Sequence, residues 1–340
     1  MVLRLYARLV SGKSKTGITM DMKEVFRHCV RVEQCKGRLI PYRFTAKALA
    51  DFDAVGHPGA RYGPGTAGIT LDFQTDASVV SWQCEVLNEL TYGKLEHFDV
   101  WENGVFTASI EWDGFAPIYY RRRLSGHGRV TIYLPILYEL AFSEMDLGNW
   151  EPVKPEPTRL LILGDSIAQG LRGTYPSLGL SVALARELGM DYLNLAVGGA
   201  IHDERIVGTA PEYAPDRILV HLGTNDVNRM DALDECARRI GSCYTEISDR
   251  WPGIPVDVIT PVWRSEFANG SALGRQRLEY ARAVRDQMIL AGSKHGFSVY
   301  DGMKLSPNTT AGLADHCHPN DLGFQLYLMN LLKVMRGMNA

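Results

Sequence analysis

The stretch RLLILGDS (159–166) decides the fold of the C-terminal half of this 340-residue chain. A short apolar run closed by a glycine is typical of a strand that is buried on both faces of a parallel sheet. Four more strand-like runs follow along the chain: DYLNLAV (191–197), DRILVHLGTND (216–226), VDVITPVW (256–263) and FSVYDG (297–302). The C-terminal half therefore contains five predicted strands.

Segments with helical spacing separate and follow these strands: SLGLSVALAREL (177–188), ALDECARRIGSCYTEISDRW (232–251), RQRLEYARAVRDQMILAG (275–292) and NDLGFQLYLMNLLKVM (320–335). Strands that alternate with helices predict an α/β fold with a doubly wound, five-stranded parallel sheet. In such sheets ligands bind beyond the carboxyl ends of the strands, so the loops that follow the strands are the place to look for chemistry.

The N-terminal half has a different pattern. Short runs rich in β-branched and aromatic residues are separated by turns: ITLDFQTD (69–76), VVSWQCEV (79–86), FDVWENGVF (98–106) and RVTIYLPIL (129–137). Asn103-Gly104 between apolar flanks predicts a hairpin with a type I′ turn. We expect a β-sandwich or jelly-roll domain over residues 1–150, a proline-rich linker at 149–159, and the α/β domain over 159–340.

Composition excludes several classes of function. The net charge of −3 and pI near 6.3 argue against a nucleic-acid partner, which requires a strongly basic face. No run is long enough for a membrane span, and Arg4 and Arg8 interrupt the N-terminal apolar stretch. Six cysteines without a CxxC or Cys/His zinc spacing suit a reducing compartment. We expect a cytoplasmic soluble protein without metal or organic cofactor, and a homo-oligomer is left open.

Four loops carry polar groups suited to acyl transfer. They are Gly164-Asp165-Ser166, the Gly198-Gly199 loop, Gly223-Thr224-Asn225-Asp226, and Asp315-His316-Cys317-His318 before the last helix. A serine needs a base to accept its proton, a histidine supplies one near neutral pH, and a carboxylate holds the imidazole. Backbone N–H groups and a side-chain amide can stabilise the oxyanion.

Each loop also has an ordinary structural explanation when taken alone. Gly-Asp-Ser is a common turn or helix cap, paired glycines form flexible loops, Asn225 or Asp226 can cap a helix, and Asp315 can do the same beside a surface histidine. Their joint occurrence in one chain order, each at the end of a predicted strand or before the last helix, favours a catalytic site.

These four segments resemble the blocks of the GDSL/SGNH hydrolase superfamily over roughly residues 159–337. The resemblance implies a flavodoxin-like fold, Ser166 as nucleophile, His318 as base and Asp315 as its partner. It also implies oxyanion donors from Ser166, Gly199 and Asn225. The choice between Gly198 and Gly199 stays open, because Gly198 stands where many members have serine. His316 adjoins Asp315 too closely for the base, and the family places its base before a proline, here Pro319.

A β-rich domain before such a hydrolase domain resembles carbohydrate esterases and jelly-roll-containing acyltransferases. The favoured function is hydrolysis of short acyl esters on a small molecule or oligosaccharide, with acetyl as the favoured acyl group. Acyl transfer to an alcohol needs the same residues, and a non-catalytic carbohydrate-binding protein is the alternative from another class. Trp263, Asp165 and His202 are candidate substrate contacts. Trp263 either lines the acyl pocket or stacks on a sugar ring, or it only closes a hydrophobic corner. Asp165 is also expected to brace its loop, and His202 to stabilise the glycine loop.

Overall fold

The computed structural model describes residues 11–13, 19–90, 96–112, 114, 117–210 and 212–337. Contacts divide the chain into two units. The first contains residues 1–46, 61–155 and 175–177, and the second contains 47–60, 156–174 and 178–340. Most of the division follows the change in sequence pattern near residue 150.

The first unit is a jelly-roll-like β-sandwich of antiparallel sheets. One sheet has the strand order β10-β7-β12-β5-β4, and the other has β13-β6-β11-β8-β9 with β3 also paired to β6. A separate pair joins β1 to β2. The strands are β1 Ser11–Lys13, β2 Thr19–Asp21, β3 Phe26–Arg27, β4 Arg31–Cys35, β5 Arg38–Tyr42, β6 Thr70–Thr75, β7 Val79–Glu89, β8 Glu96–Glu102, β9 Val105–Trp112, β10 Ile118–Arg123, β11 Gly128–Tyr133, β12 Tyr138–Asp146 and β13 Trp150–Pro152.

Aromatic side chains from both sheets meet in the core of the sandwich. Trp82 on β7 and Phe98 on β8 are fully buried, and their ring centroids lie 6.0 Å apart. The predicted hairpin joins β8 to β9: Asn103 and Gly104 both have positive φ, 51° and 79°, as a type I′ turn requires. The sequence pattern of the N-terminal half therefore predicted both the class of this unit and one of its turns.

The second unit contains the five-stranded parallel sheet, with all neighbours parallel and the order β15-β14-β16-β17-β18. Its strands are shorter than the apolar runs that predicted them: β14 Arg159–Gly164, β15 Asp191–Asn194, β16 Arg217–His221, β17 Val256–Ile259 and β18 Ser298–Tyr300. In chain order this is 2-1-3-4-5, so the order reverses between β14 and β16. Ligands of such sheets bind in the crevice at this point.

The helices of the chain are α1 Ala46–Ala54, α2 Gly59–Tyr62, α3 Ser166–Gln169, α4 Leu180–Leu188, α5 Glu204–Gly208, α6 Thr224–Arg229, α7 Leu233–Arg250, α8 Ala272–Lys294, α9 Gly302–Leu305 and α10 Asp321–Met335. Short 3₁₀ turns occupy Met22–Val25, Pro176–Leu178, Ser265–Ala268 and Thr310–Gly312. No helix within the described ranges is long and apolar enough to cross a bilayer. The cytoplasmic location stays a prediction.

One segment from the N-terminal half belongs to the second unit by its contacts. Residues 47–60 include most of α1 and the turn that follows it. The turn is held together because His57 stacks on Phe52 at a centroid distance of 4.5 Å and accepts a hydrogen bond from the N–H of Gly59. Nothing in the composition of this segment indicated that it would belong to the second unit.

Candidate active site

Ser166 lies at the carboxyl end of β14, as the first residue of the one-turn helix α3. Gly164 is required because a Cβ at this position would lie 2.5 Å from the Cβ of Ala168. Asp165 caps the helix, and its Oδ1 accepts a hydrogen bond of 2.9 Å from the N–H of Ile167. Each residue of the Gly-Asp-Ser tripeptide thus has a local role that leads to the position of the Ser166 side chain, which is 8% exposed.

His318 and Asp315 are joined to Ser166 by one chain of hydrogen bonds. The Oγ of Ser166 lies 2.8 Å from Nε2 of His318, and Nδ1 of His318 lies 2.9 Å from Oδ2 of Asp315. The turn that holds Asp315 and His318 is closed by a hydrogen bond from the N–H of Ala314 to the carbonyl of His318. The structure therefore brings together the three side chains that the sequence singled out, across 152 positions of the chain.

The electrostatics of the pair favour a charged carboxylate and a charged imidazole. Burial raises the pKa of Asp315, but hydrogen bonds from the His318 ring and from the N–H groups of Cys317 and His318 outweigh it and lower this pKa well below its ordinary value. Burial lowers the pKa of His318, but its hydrogen bonds to Asp315 and Cys317 raise it to about 9. Asp315 is therefore arranged to stabilise the imidazolium.

His316 is placed away from this chain of hydrogen bonds, as expected. Its side chain is 54% exposed, and its Nδ1 lies 3.9 Å from Oδ1 of Asp315, too far for a hydrogen bond. Burial and the nearby Arg264 lower the pKa of His316. Of the two histidines in this loop, only His318 faces the serine.

The two glycines of the second loop differ in what their N–H groups do. The N–H of Gly198 donates to Oε1 of Gln169 at 2.7 Å, so this donor already has an acceptor in α3. Gly199 is exposed, has a φ of 79°, and its N–H has no acceptor in the part of the chain that the structure describes. The geometry favours Gly199 over Gly198 as an oxyanion donor, a choice that the sequence left open.

Asn225 is the second residue of α6, at the carboxyl end of β16. Its Nδ2 donates to the carbonyl of Ala200 at 3.0 Å, which ties the helix to the glycine loop. An amide nitrogen carries two hydrogens, so one remains for a ligand. With the contact from Gly198 to Gln169, hydrogen bonds connect the helix of Ser166, the glycine loop and Asn225.

Burial corrects two of the candidate substrate contacts, Asp165 and His202. Asp165 is completely buried and caps α3, so its side chain cannot reach a ligand. His202 is completely buried too, and both its N–H and its Nδ1 lie within 3.2 Å of Oδ2 of Asp226. Both residues support the loops, and neither lines the surface of the site.

Trp263, the third candidate contact, lies beyond the end of β17 and is half-buried. The predicted strand stops at Ile259, two residues before Pro261, because proline cannot continue the hydrogen-bond ladder. The N–H of Trp263 donates to Oγ of Ser306 at 3.0 Å, which fixes the backbone at this position. Its contact with substrate stays a prediction.

The structure adds two neighbours of the site that the sequence did not indicate. Nε of Arg172 lies 3.3 Å from Oδ2 of Asp315. A Cβ built on Gly199 would lie 3.5 Å from Cγ of Pro58, so the segment 47–60 packs beside the glycine loop. No sequence signal marks either contact, since the partners are more than 140 positions apart and follow no motif.

Asp315, His316 and Cys317 place one potential metal-ligating atom each within 4.8 Å of one another. The Asp315 carboxylate is already engaged by the His318 ring and by two backbone N–H groups. We therefore assign this carboxylate to His318.

Comparison with known proteins finds a family match in the C-terminal half of the chain. Residues 162–326, which include Ser166, Asn225 and His318, match the model of the GDSL-like lipase/acylhydrolase family. This segment is a GDSL-like lipase/acylhydrolase domain. The GDSL domain therefore covers most of the second unit. No curated protein matches the sequence.

Solved structures are similar in fold to most of the chain at low sequence identity. A salicylyl-acyltransferase from a tetracycline biosynthetic pathway is 19% identical, with a TM-score of 0.75 over 92% of this chain and 94% of that one. A family two carbohydrate esterase from Cellvibrio japonicus is 16% identical, with a TM-score of 0.62 over 93% and 96%. An acetyl xylan esterase from Butyrivibrio proteoclasticus is 15% identical, with a TM-score of 0.61 over 95% and 97%. At these identities the likeness concerns the fold.

Proposed function

We propose that this protein is a serine esterase that removes short acyl groups from a carbohydrate through an acyl-Ser166 intermediate, with acetyl as the favoured acyl group. The observation that carries the proposal is the hydrogen-bonded chain from Ser166 through His318 to Asp315, called the triad below. The family match supports an ester-acting hydrolase.

In the first half of the reaction His318 takes the proton of Ser166 as Oγ attacks the ester carbonyl. The tetrahedral oxyanion accepts hydrogen bonds from the N–H groups of Ser166 and Gly199 and from Nδ2 of Asn225. Asp315 stabilises the imidazolium that forms. When the intermediate collapses, the C–O bond to the alcohol breaks, His318 returns the proton to the leaving alcohol, and the acyl group stays on Ser166.

In the second half water attacks the acyl-serine, and His318 takes a proton from this water. The second tetrahedral intermediate occupies the same oxyanion donors. Its collapse breaks the bond between the acyl carbon and Oγ, and the proton on His318 returns to Ser166. The balanced reaction consumes an ester and water and yields an acid and an alcohol.

The carbohydrate acetyl ester as substrate is supported by the two esterases named above, whose folds match 93% and 95% of this chain. The acyltransferase fold supports a second candidate function, in which an alcohol replaces water in the second half. The triad is the same in both, so product analysis must separate them.

The test is hydrolysis of p-nitrophenyl acetate, butyrate and octanoate by the wild type, by Ser166→Ala, and by the control Ser293→Ala on the exposed surface of α8. We expect a preference for acetate, full activity in the control, and loss of activity in Ser166→Ala. Acetylated xylo-oligosaccharides and free alcohol acceptors follow. Release of free acetate supports the esterase, whereas an acylated acceptor as main product supports acyl transfer. Equal rates in Ser166→Ala and the wild type would refute both.

A further inference from the structure

Arg172 lies beside the triad, and the proposed reaction does not use it. It follows α3, in the loop Gly170-Leu171-Arg172-Gly173. Nε of Arg172 makes an ion pair with Oδ2 of Asp315 at 3.3 Å, and 53% of its side chain is exposed. A cation thus stands at the solvent edge of the triad.

The backbone around Arg172 is fixed at both ends. The N–H of Leu171 donates to the carbonyl of Ser166, and the N–H of Thr174 donates to Oδ1 of Asp321 at the start of α10. Arg172 itself has a φ of 73°, in the left-handed region that residues other than glycine rarely adopt. The loop therefore holds an arginine where glycine would be the easier choice, which points to a use for its side chain.

Asp315 does not need this arginine for its hydrogen bonds. Its carboxylate already accepts from the N–H groups of Cys317 and His318 and from the His318 ring. Arg172 faces the carboxylate with Nε, and its two Nη nitrogens make no hydrogen bond to any part of the chain that the structure describes. The planar pair of Nη groups is suited to bidentate binding of a carboxylate or phosphate.

The proposed reaction indicates which part of the substrate is near this arginine. His318 returns its proton to the leaving alcohol, so the alcohol portion lies on the imidazole side of the ester. The carbonyl oxygen lies at the N–H of Gly199 and the amide of Asn225 instead. Arg172 pairs with the carboxylate that holds this imidazole, so it lies on the histidine side of the site, from which the alcohol leaves, and not beside the oxyanion donors.

We propose that Arg172 binds an anionic group, carboxylate or phosphate, on the alcohol portion of the ester. The proposal deepens the proposed function and rests on it. It makes the substrate class an acylated acid, such as a uronic-acid or phosphorylated sugar ester. Under the alternative that Arg172 only neutralises Asp315, its loss would affect neutral and anionic substrates equally.

The test compares matched acetyl esters that differ in the charge of the alcohol portion: 4-acetoxybenzoate, 4-acetoxyphenyl phosphate and the neutral 4-acetoxybenzamide. For each variant the ratio of kcat/KM for an anionic ester to that for the amide is measured. Differences in intrinsic reactivity cancel when this ratio is compared between variants. The variants are Arg172→Gln, Arg172→Lys and the control Arg282→Gln on the exposed face of α8.

We expect Arg172→Gln to lower the ratio about tenfold, Arg172→Lys to keep part of it because the charge remains, and Arg282→Gln to leave it unchanged. The ratio in the wild type should fall as salt is added. A larger effect with the benzoate or with the phosphate ester identifies the anion. An unchanged ratio in Arg172→Gln, with all esters still hydrolysed, overturns this inference alone. If the wild type cleaves none of the esters, the proposed function fails as well.

Discussion

Replacing Asp315 by asparagine tests the electrostatic basis of the triad. The pKa of His318 is about 9, against an ordinary value of 6.5, and this difference corresponds to about 3 kcal/mol in favour of the imidazolium. Because an imidazolium forms in the transition state, losing this preference should lower the rate about 10²-fold. An asparagine amide can also hold the wrong tautomer of His318, which extends the expected loss to about 10⁴-fold.

The same substitution should also shift the pH dependence of kcat/KM, and the direction of the shift can be predicted. His318 must be neutral to accept a proton, so kcat/KM of the wild type should rise with pH through a midpoint near 9. In Asp315→Asn the carboxylate that raises this pKa is gone, while burial still lowers the pKa and Cys317 still raises it. The midpoint should then fall well below 9 while the plateau drops.

The assay is kcat/KM for p-nitrophenyl acetate between pH 5 and 10, corrected for spontaneous hydrolysis. His316→Gln is the matched control, since this exposed histidine adjoins the same carboxylate without a hydrogen bond to it. Its profile should keep the midpoint of the wild type. A loss of less than tenfold in Asp315→Asn, or an unshifted midpoint, would show that this carboxylate does not set the basicity of His318.

Three further changes test the surroundings of the triad. Asn225→Ala should lower kcat about 10²–10³-fold with little change in KM, because one oxyanion donor is lost; a drop of less than threefold would remove Asn225 from the oxyanion hole. Gly164→Ala should destabilise the fold by about 1–3 kcal/mol in urea unfolding, since its Cβ would clash with Ala168, and an unchanged midpoint would contradict this packing. Asp226→Ala should lower the free energy of unfolding by about 3–5 kcal/mol, because it leaves His202 buried without its partner. A variant that unfolds at the same temperature as the wild type would refute this.

Much of the fold could be predicted from the sequence because its signals are local. Apolar runs, helical spacing and the Asn-Gly turn depend on neighbours a few residues apart, and all five strands of the parallel sheet were predicted. Their ends were less accurate. The run at 256–263 gave only the strand Val256–Ile259, since Pro261 ends the ladder.

The position of the candidate site could also be predicted, because in a parallel sheet the strand order brings consecutive loops to one edge. Ser166 and Asn225 follow β14 and β16, the two strands between which the order reverses. The exposure of single residues could not be predicted. Asp165 and His202 are polar and adjoin the motifs, yet tertiary packing buries both of them completely.

By itself the sequence determined the two fold classes, the five strands of the parallel sheet, four of the helices in the same half of the chain, and the loops that carry Ser166, His318 and Asp315. These follow from periodicity and chain order, which are properties of the unfolded chain as well. Only the tertiary structure decided that the N–H of Gly198 donates to Gln169, that residues 47–60 belong to the second unit, and that Arg172 reaches Asp315. The physical reason is that such contacts join side chains distant in sequence, and their geometry exists only after the sheet and its loops have assembled.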